Sequence, residues 1–385
     1  MQHGERQHAL LSASGAYRWL NCTPSARLED KVEDQSSIYA REGTLAHEFA
    51  DAYLTWYNKD LTTRSYNALV KELKKHELYS PEMDGEVKKY TDIVVEEFKQ
   101  AKKKTKDAIL AVEQKLELTD FVPDSFGTGD ALIVADGRLK VIDLKYGKGL
   151  KVDATNNPQL KLYGLGALSL MELFYDIQEV EMIIIQPRLD HYSSFTMNTE
   201  ALKRWAVTEL KEKAKLAFDG EGELTPGPHC QFCKVAPRCR ALADENLRIA
   251  NDAFLSPELL SDTELVEIHE KTKQITNWLG TVNDYILSEA INGKDFPGLK
   301  LVEGRSLRQW GDDEKVIEVL KGLGYSEAEV LKVQLQGITA ITKLLGKKKF
   351  DQALSDLIIK PEGKPTLAKI DDPRPEWIKA EKAFS

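Results

Sequence analysis

Residues 128–145 read TGDALIVADGRLKVIDLK, two apolar runs separated by Asp136-Gly137. The runs, Thr128 to Ala135 and Arg138 to Leu144, predict two strands, and the Asp-Gly pair between them is typical of a two-residue hairpin turn. A turn at these two positions fixes the register of the hairpin. It predicts that Asp130 lies directly opposite Asp143.

Two opposed aspartates indicate a metal site. Side chains directly opposite each other in an antiparallel pair have Cβ atoms about 4.5–5.5 Å apart, and like charges there destabilise the sheet unless something bridges them. Bound Mg²⁺ or Mn²⁺ would do so, and would also activate a water molecule. Lys145 is expected on the face of Asp143, and His47 is a candidate additional ligand for Mn²⁺. The alternative is that each aspartate is a solvated hairpin charge.

The sequence before this hairpin is predicted to be helical from residue 1 to about 105. Ser12 or Ser14 is expected to cap a first helix and Thr44 a second, and a third amphipathic segment covers about 83–103. Strand periodicity then begins, with Val112, Gln114, Leu116 and Leu118 alternating with the charged residues Glu113, Lys115 and Glu117. Glu113 in this strand either lines the site or faces outward.

The pattern after the hairpin predicts a helix over about 158–174 and a strand over 180–186. Strand, helix and strand in this order imply a right-handed crossover and a mixed sheet. We therefore expect an α/β core at 106–218, a loop at 219–245 that carries three cysteines, and a mainly helical region at 246–385. This last region includes a long helix over about 262–291.

Composition is that of a globular protein, with 42% hydrophobic and 30% charged residues among 385. No stretch approaches the length of a membrane span and no signal-peptide core follows Met1, so a cytoplasmic location without membrane contact is expected. The net charge of −9 argues against a surface coated in positive charge. It leaves room for a local nucleic-acid groove.

The four cysteines, Cys22, Cys230, Cys233 and Cys239, fall into one pattern. Clustered thiols in a cytoplasmic protein favour a metal site over disulfides. Four thiolates suit either tetrahedral zinc or a [4Fe-4S] cluster, and spacing alone does not separate these.

The hairpin motifs, Gly129–Leu132 and Val141–Lys145, together with Gln159 and Tyr163, resemble the successive motifs of the RecB-like branch of the PD-(D/E)XK nuclease superfamily. Gly43–Glu48 is similar to its histidine motif. The resemblance implies a restriction-endonuclease-like α/β core, a mixed sheet flanked by helices. It also implies site residues in two roles: metal ligands His47, Asp130, Asp143 and Leu144, and catalytic residues Asp130, Asp143, Lys145, Gln159 and Tyr163.

The arrangement of the cysteines, with one ahead of these motifs and three behind them, resembles that of the iron-staple nucleases. These include AddB-type helicase-nucleases and the iron-sulfur nucleases of CRISPR adaptation. This likeness favours a structural [4Fe-4S] cluster over zinc.

The whole chain also resembles a family of phage and prophage proteins in this branch, through Ser12-Ala13-Ser14, Trp19-x-x-Cys22, Glu303–Trp310 and Gly363–Leu367. It implies a DNA exonuclease of phage recombination or end processing, with DNA and a recombination or single-strand annealing protein as partners. The alternatives are a non-cleaving DNA-binding or scaffold subunit and a zinc-stabilised adaptor.

Overall fold

The structure is a computed structural model. It describes residues 9–32, 37–135, 137–252 and 261–300 and, further on, residues 302, 313–324, 326, 331, 342, 346–354 and 357. Asp136 of the expected turn, the expected hairpin at 304–310 and the motifs at 303–310 and 363–367 lie outside these residues. The chain divides into two compact units, 1–301 and 302–385.

A five-stranded sheet, with its strands side by side in chain order, forms the centre of the first unit. The pairs are antiparallel except β3 with β4, which is parallel, so the sheet is mixed. The expected α/β class, a mixed sheet flanked by helices, is confirmed at this level. The strands are β1 (Ile109–Glu117), β2 (Phe126–Ala135), β3 (Gly137–Leu144), β4 (Ile177–Gln186) and β5 (His191–Asn198).

The register of β2 and β3 is the one that the sequence predicts. Ala131 lies opposite Ile142 and Val134 opposite Leu139, and this register, extended by one position beyond the last recorded pair, sets Asp130 opposite Asp143. Gly137 begins β3 with a φ of 80°, a conformation that glycine adopts without steric cost. The close turn therefore sets which side chains of the two strands meet.

Helices cover both faces of the sheet. Leu132 and Val134 of β2 face a core that includes α6, whereas Ala131 and Ile133 face a core that includes α3 and α5. The helices of the first unit are α1 (Ala16–Asn21), α2 (Ser25–Glu29), α3 (Ile38–Tyr57), α4 (Thr63–Leu73), α5 (Pro81–Lys104), α6 (Pro158–Met171), α7 (Thr199–Trp205), α8 (Lys211–Asp219), α9 (Arg240–Asp252) and α10 (Asp262–Ile291).

The start of α3 differs from the prediction. Ser37, rather than Thr44, caps this helix, because the Ser37 hydroxyl accepts a hydrogen bond from the Ala40 N–H. Thr44 lies inside the helix and donates its hydroxyl to the Ala40 carbonyl. Ser12 caps a short 3-10 turn over Ala13–Gly15 that leads into α1. The expected helix at 83–103 is α5.

The alternation of β1 predicts a strand with one buried face, but the structure shows that this strand does not keep one. Leu110 packs in the α3–α5 core, whereas Leu116, an even number of residues later, packs in the α6 core. Between them Glu113 has a φ of 47°, the left-handed region that a strand residue rarely adopts. This conformation shifts the alternation by one and exchanges the faces.

Helix α10 matches the expected long helix at 262–291. In the part of the second unit that the structure describes, the helices are α11 (Asp313–Gly322) and α12 (Lys347–Leu354). Ser261 caps α10 in a reciprocal arrangement with Glu264. Within the described ranges, none of the helices combines the length and apolar character needed to cross a bilayer.

Candidate active site and cysteine site

A histidine and two carboxylates from three elements meet beside the sheet. Nδ1 of His47, on α3, lies 3.3 Å from Oδ1 of Asp130, on β2. Glu113 of β1 joins them, and the three residues offer ligand atoms that all lie within 4.8 Å of one another. Imidazole and carboxylate groups at this spacing can hold a divalent cation such as Mn²⁺ or Mg²⁺.

Leu144 contributes its main chain to this group. Its N–H donates to Oδ2 of Asp130 at 2.7 Å, while its side chain is 1% exposed in the core. The N–H and carbonyl of one strand residue point to the same side, so the carbonyl faces β2 as well. As an expected metal ligand, Leu144 can act only through this carbonyl oxygen.

Asp143 is the most enclosed group of the site, with 3% of its surface exposed. Nζ of Lys145 lies 3.0 Å from its Oδ2, and Nε2 of Gln159 donates to its Oδ1 at 3.2 Å. Oδ2 is buried, and the Lys145 ammonium is its ion-pair partner although no contact of this oxygen meets hydrogen-bond geometry. A carboxylate oxygen keeps lone-pair capacity for a metal cation beside such a pair.

Gln159 connects the lysine to α6. Its Oε1 accepts from Nζ of Lys145 at 3.0 Å, and its Nε2 donates to the Tyr163 hydroxyl at 3.1 Å. Asn157 caps α6 and accepts from the Gln159 N–H, which holds Gln159 in the first turn. The i and i+4 spacing puts Gln159 and Tyr163 on one helix face.

All six predicted side chains, together with Glu113, line one cavity of about 280 Å³. The six are His47, Asp130, Asp143, Lys145, Gln159 and Tyr163. Residues 12–14 and Thr44 form part of the same wall. The structure thus brings together residues that lie more than a hundred positions apart in the chain.

The charges of the site shift one another's pKa values. Burial lowers the pKa of His47, but Asp130, helped by Asp143 and Glu113, outweighs burial and raises it to about 9. Burial raises the pKa of Asp130, but the His47 charge and hydrogen bond, with the Leu144 N–H, bring it below its ordinary value. Burial, reinforced by Asp130, raises the pKa of Asp143 despite Lys145. The metal-free site therefore favours a protonated histidine.

Glu113 is the site residue that sequence reasoning left undecided. Strand alternation assigns it equally well to an outward face. Its positive φ places it in the cavity beside His47 and Asp130. Only the structure supplies this signal.

The four cysteines line one small cavity, formed where the chain leaves α1 and where residues 228–239 return to it. Burial raises the pKa values of the Cys22 and Cys230 thiols, and that of Cys233 to about 12. No three of the four sulfur atoms lie within 4.8 Å of one another. Buried thiols with raised pKa values become thiolates when a metal binds them.

A charged clamp joins the two segments that carry the cysteines. Nε of Arg18 donates to Oε2 of Glu29 at 2.5 Å, and the Lys234 N–H donates to the other Glu29 oxygen at 2.7 Å. Nη1 of Arg18 also donates to the Phe232 carbonyl. The cysteine loop is thus tied to α1 and α2 through protein contacts alone.

The fold and the cavity define an α/β protein in which a histidine of α3 and two carboxylates of the sheet form a group suited to a divalent cation. The chain belongs to the family described as "Protein of unknown function (DUF2800)", whose model matches residues 8–375. A solved structure titled "Crystal structure of SSO0001" is 17% identical to this chain. That alignment covers 59% of this chain and 96% of the other, with a TM-score of 0.23.

Proposed function

We propose that this chain is a metal-dependent nuclease of the PD-(D/E)XK type that hydrolyses phosphodiester bonds of DNA. One observation carries the proposal: His47, Asp130, Asp143, Lys145 and Gln159 line a single cavity. A structural role alone would not require two buried carboxylates beside each other, because like charges on opposed strand positions destabilise a sheet.

The residues fit a divalent cation. His47, Glu113 and Asp130 offer ligand atoms within 4.8 Å of one another, and Asp143 adds a buried carboxylate to the same cavity, where Lys145 is its ion-pair partner. The Leu144 carbonyl is the remaining candidate ligand. When bound, Mg²⁺ or Mn²⁺ acidifies a water molecule and polarises a phosphoryl oxygen.

The protein side chains orient the reactants around that ion. Lys145 is held between Asp143 and Gln159, so its ammonium group stays at the cavity wall. There it stabilises negative charge that develops on the phosphate oxygens. Gln159, itself bonded to Tyr163, fixes the direction of the lysine, and the three act as one unit.

The cysteines are proposed to hold a [4Fe-4S] cluster with a structural role. The four thiols line one small cavity, an arrangement that suits either tetrahedral zinc or a [4Fe-4S] cluster. The resemblance to the iron-staple nucleases favours the cluster over the zinc alternative.

The biological task follows from the same proposal and from the sequence resemblance. The enzyme is expected to degrade DNA from an end, in phage recombination or end processing, alongside a recombination or single-strand annealing protein. Residues 12–14, α3, the sheet and α6 line different sides of the cavity, and a single strand is proposed to enter between them.

End-labelled single- and double-stranded DNA, incubated with Mg²⁺ or Mn²⁺, tests the proposal. We expect cleavage by the wild type and by Asp120→Asn, an exposed aspartate outside the cavity, and none by Asp143→Asn. Equal cleavage by Asp143→Asn would reject this site. DNA binding without cleavage in every divalent metal would instead support the alternative, a non-cleaving DNA-binding subunit.

A further inference from the structure

The Ser12-Ala13-Ser14 turn, which belongs to none of the nuclease motifs, forms part of the wall of the active-site cavity. All three residues line the cavity that contains His47 and Asp143. The turn comes from the N-terminal segment ahead of α1. It is therefore a separate contribution to the site from outside the sheet, α3 and α6.

Contacts to the core hold this turn in place independently of its hydroxyl groups. Leu11 and Ala13 are buried, with 0% and 2% of their surfaces exposed. The buried Ser125 hydroxyl donates to the Leu11 carbonyl at 2.7 Å, and Nε1 of Trp19 donates to the Ser12 carbonyl at 3.0 Å. The main chain and the apolar side chains thus anchor the turn.

Gly127 of β2 permits the close approach of this turn. A Cβ atom at Gly127 would lie 2.6 Å from Cε1 of Tyr163 and 3.6 Å from Cβ of Ala13. The first distance is shorter than real contacts allow, so any larger residue would displace the tyrosine. The packing therefore fixes the turn and Tyr163 together against the sheet.

The two serine hydroxyls remain on the open side. Oγ of Ser14 is in an exposed side chain and lies 3.3 Å from Oγ of Ser12, which accepts from the Gly15 N–H. The rest of the wall carries the carboxylates of Glu113, Asp130 and Asp143. A neutral hydroxyl donor is the kind of group that contacts a phosphate without adding charge.

We infer that Ser14, supported by Ser12, is a substrate-positioning residue. Its hydroxyl donates a hydrogen bond to a phosphate of the bound DNA strand, next to the phosphate that is hydrolysed. This inference rests on the proposed nuclease function. It assigns the N-terminal turn to the binding of the strand and leaves hydrolysis to the carboxylates and Lys145.

Three full-length variants test this role of Ser14: Ser14→Ala, Ser14→Thr and the control Ser288→Ala. Ser288 is an exposed serine on α10 outside the cavity. Each variant is made in an Asp143→Asn background, which is expected to bind DNA without cutting it. Fluorescence anisotropy with a labelled single-stranded oligonucleotide and Mg²⁺ gives each Kd. We expect Ser14→Ala to weaken binding about ten-fold, the usual effect of a lost hydrogen bond to a charged group. Ser14→Thr and Ser288→Ala should bind like the background protein, and all should keep its melting temperature.

Oligonucleotides with one uncharged methylphosphonate at successive positions locate the contact. At one position the replacement should weaken binding of the background protein but cause no further loss in Ser14→Ala, because the partner of that phosphate is already missing. If Ser14 had a merely structural role, the replacement at each position would weaken binding of Ser14→Ala as much as it weakens binding of the background protein.

Affinity of Ser14→Ala within about two-fold of the background protein, or losses that simply add at all positions, would overturn the inference. If the wild type binds DNA but does not cleave it, the nuclease proposal is rejected, whereas the comparison of binding affinities remains valid. Absence of DNA binding by the wild type would overturn both.

Discussion

The carboxylate of Glu29 accepts a hydrogen bond from the main-chain N–H of Lys234 at 2.7 Å, across 205 residues of sequence. The same carboxylate pairs with Arg18 and is mostly buried, with 8% of the residue exposed. It therefore attaches the cysteine loop to the N-terminal helices whether or not a metal is bound.

Replacing Glu29 is expected to weaken the protein even without its cluster. Glu29→Ala leaves the Lys234 N–H and the Arg18 guanidinium without their partner, which should cost about 2–3 kcal/mol of unfolding free energy. Glu29→Gln keeps an acceptor and should cost less. Urea unfolding followed by tryptophan fluorescence measures this, with Glu117→Ala as the control because its ion pair with Lys115 is exposed. Equal stability of Glu29→Ala and Glu117→Ala would contradict the clamp.

Asp143→Asn is expected to abolish cleavage without unfolding the protein. Loss of a group of this kind lowers kcat by roughly a hundred-fold or more. Because burial raises the pKa of Asp143, its charge is unfavourable in the metal-free state. The metal-free variant should therefore melt at or above the wild-type temperature. A large drop in melting temperature would mean that Asp143 is structural.

Lys145→Ala should also stop cleavage while it leaves metal binding largely intact, since Lys145 is a cation that offers the metal no ligand atom and its removal leaves all the proposed ligands in place. Mn²⁺ titration by calorimetry and the end-labelled assay give the two readings. Lys115→Ala, which removes an exposed lysine, is the matched control. Retained cleavage in Lys145→Ala would remove the lysine from the mechanism.

Cys22→Ser should lose iron and stability together, because three thiolates cannot complete the site and the proposed cluster no longer adds to the Glu29 and Arg18 contacts between the loop and the N-terminal helices. Iron and sulfide analysis of anaerobically purified protein, combined with thermal melting, tests this. Asn21→Ser, one position away, should keep both. Full iron content in Cys22→Ser would exclude Cys22 as a ligand, and zinc in place of iron in the wild type would favour the zinc site.

The His47–Asp130 pair predicts a pH dependence of the metal-free protein. The pKa of His47 rises from 6.5 to about 9 on folding. Its contribution to stability is therefore fully present below pH 6.5 and is lost as the pH rises through 9. With chelator present, the stability advantage of the wild type over His47→Gln should shrink between these values. An advantage that stays constant over this range would mean that His47 does not titrate there.

Linear DNA should be degraded progressively from a terminus, whereas covalently closed circles of the same sequence should survive. The reason is the proposed mode of entry, in which a single strand passes end-first between the N-terminal turn, α3 and the sheet and so needs a free end. Gel analysis of both substrates in Mn²⁺ measures the two rates. Equal rates would leave an endonuclease with the same site.

Sequence predicted the part of the site that depends on local geometry. A two-residue turn fixes the register of β2 and β3, so Asp130, Asp143 and Lys145 could be placed before the structure was known. Helical spacing likewise grouped Gln159 with Tyr163.

Other features depend on contacts or torsions that no short pattern encodes. The positive φ of Glu113 carries it into the cavity, and sequence alternation gives no sign of such a torsion. The prediction that Thr44 caps α3 was wrong because an equally suitable serine, Ser37, lies earlier in the chain and caps the helix instead. The contact between Glu29 and Lys234 depends on the meeting of segments that the sheet separates.

The separation of these two segments also has a consequence for biosynthesis. At about 5–20 residues per second, a ribosome needs roughly 10–40 s to pass from Glu29 to Lys234, given the 205 residues between them. During that interval the nascent α1 and α2 emerge without the loop that completes their contacts, and the Cys22 thiol is open to oxidation. Insertion of the proposed cluster would therefore have to follow synthesis of residue 239, and we expect the yield of loaded protein to depend on iron supply and translation rate.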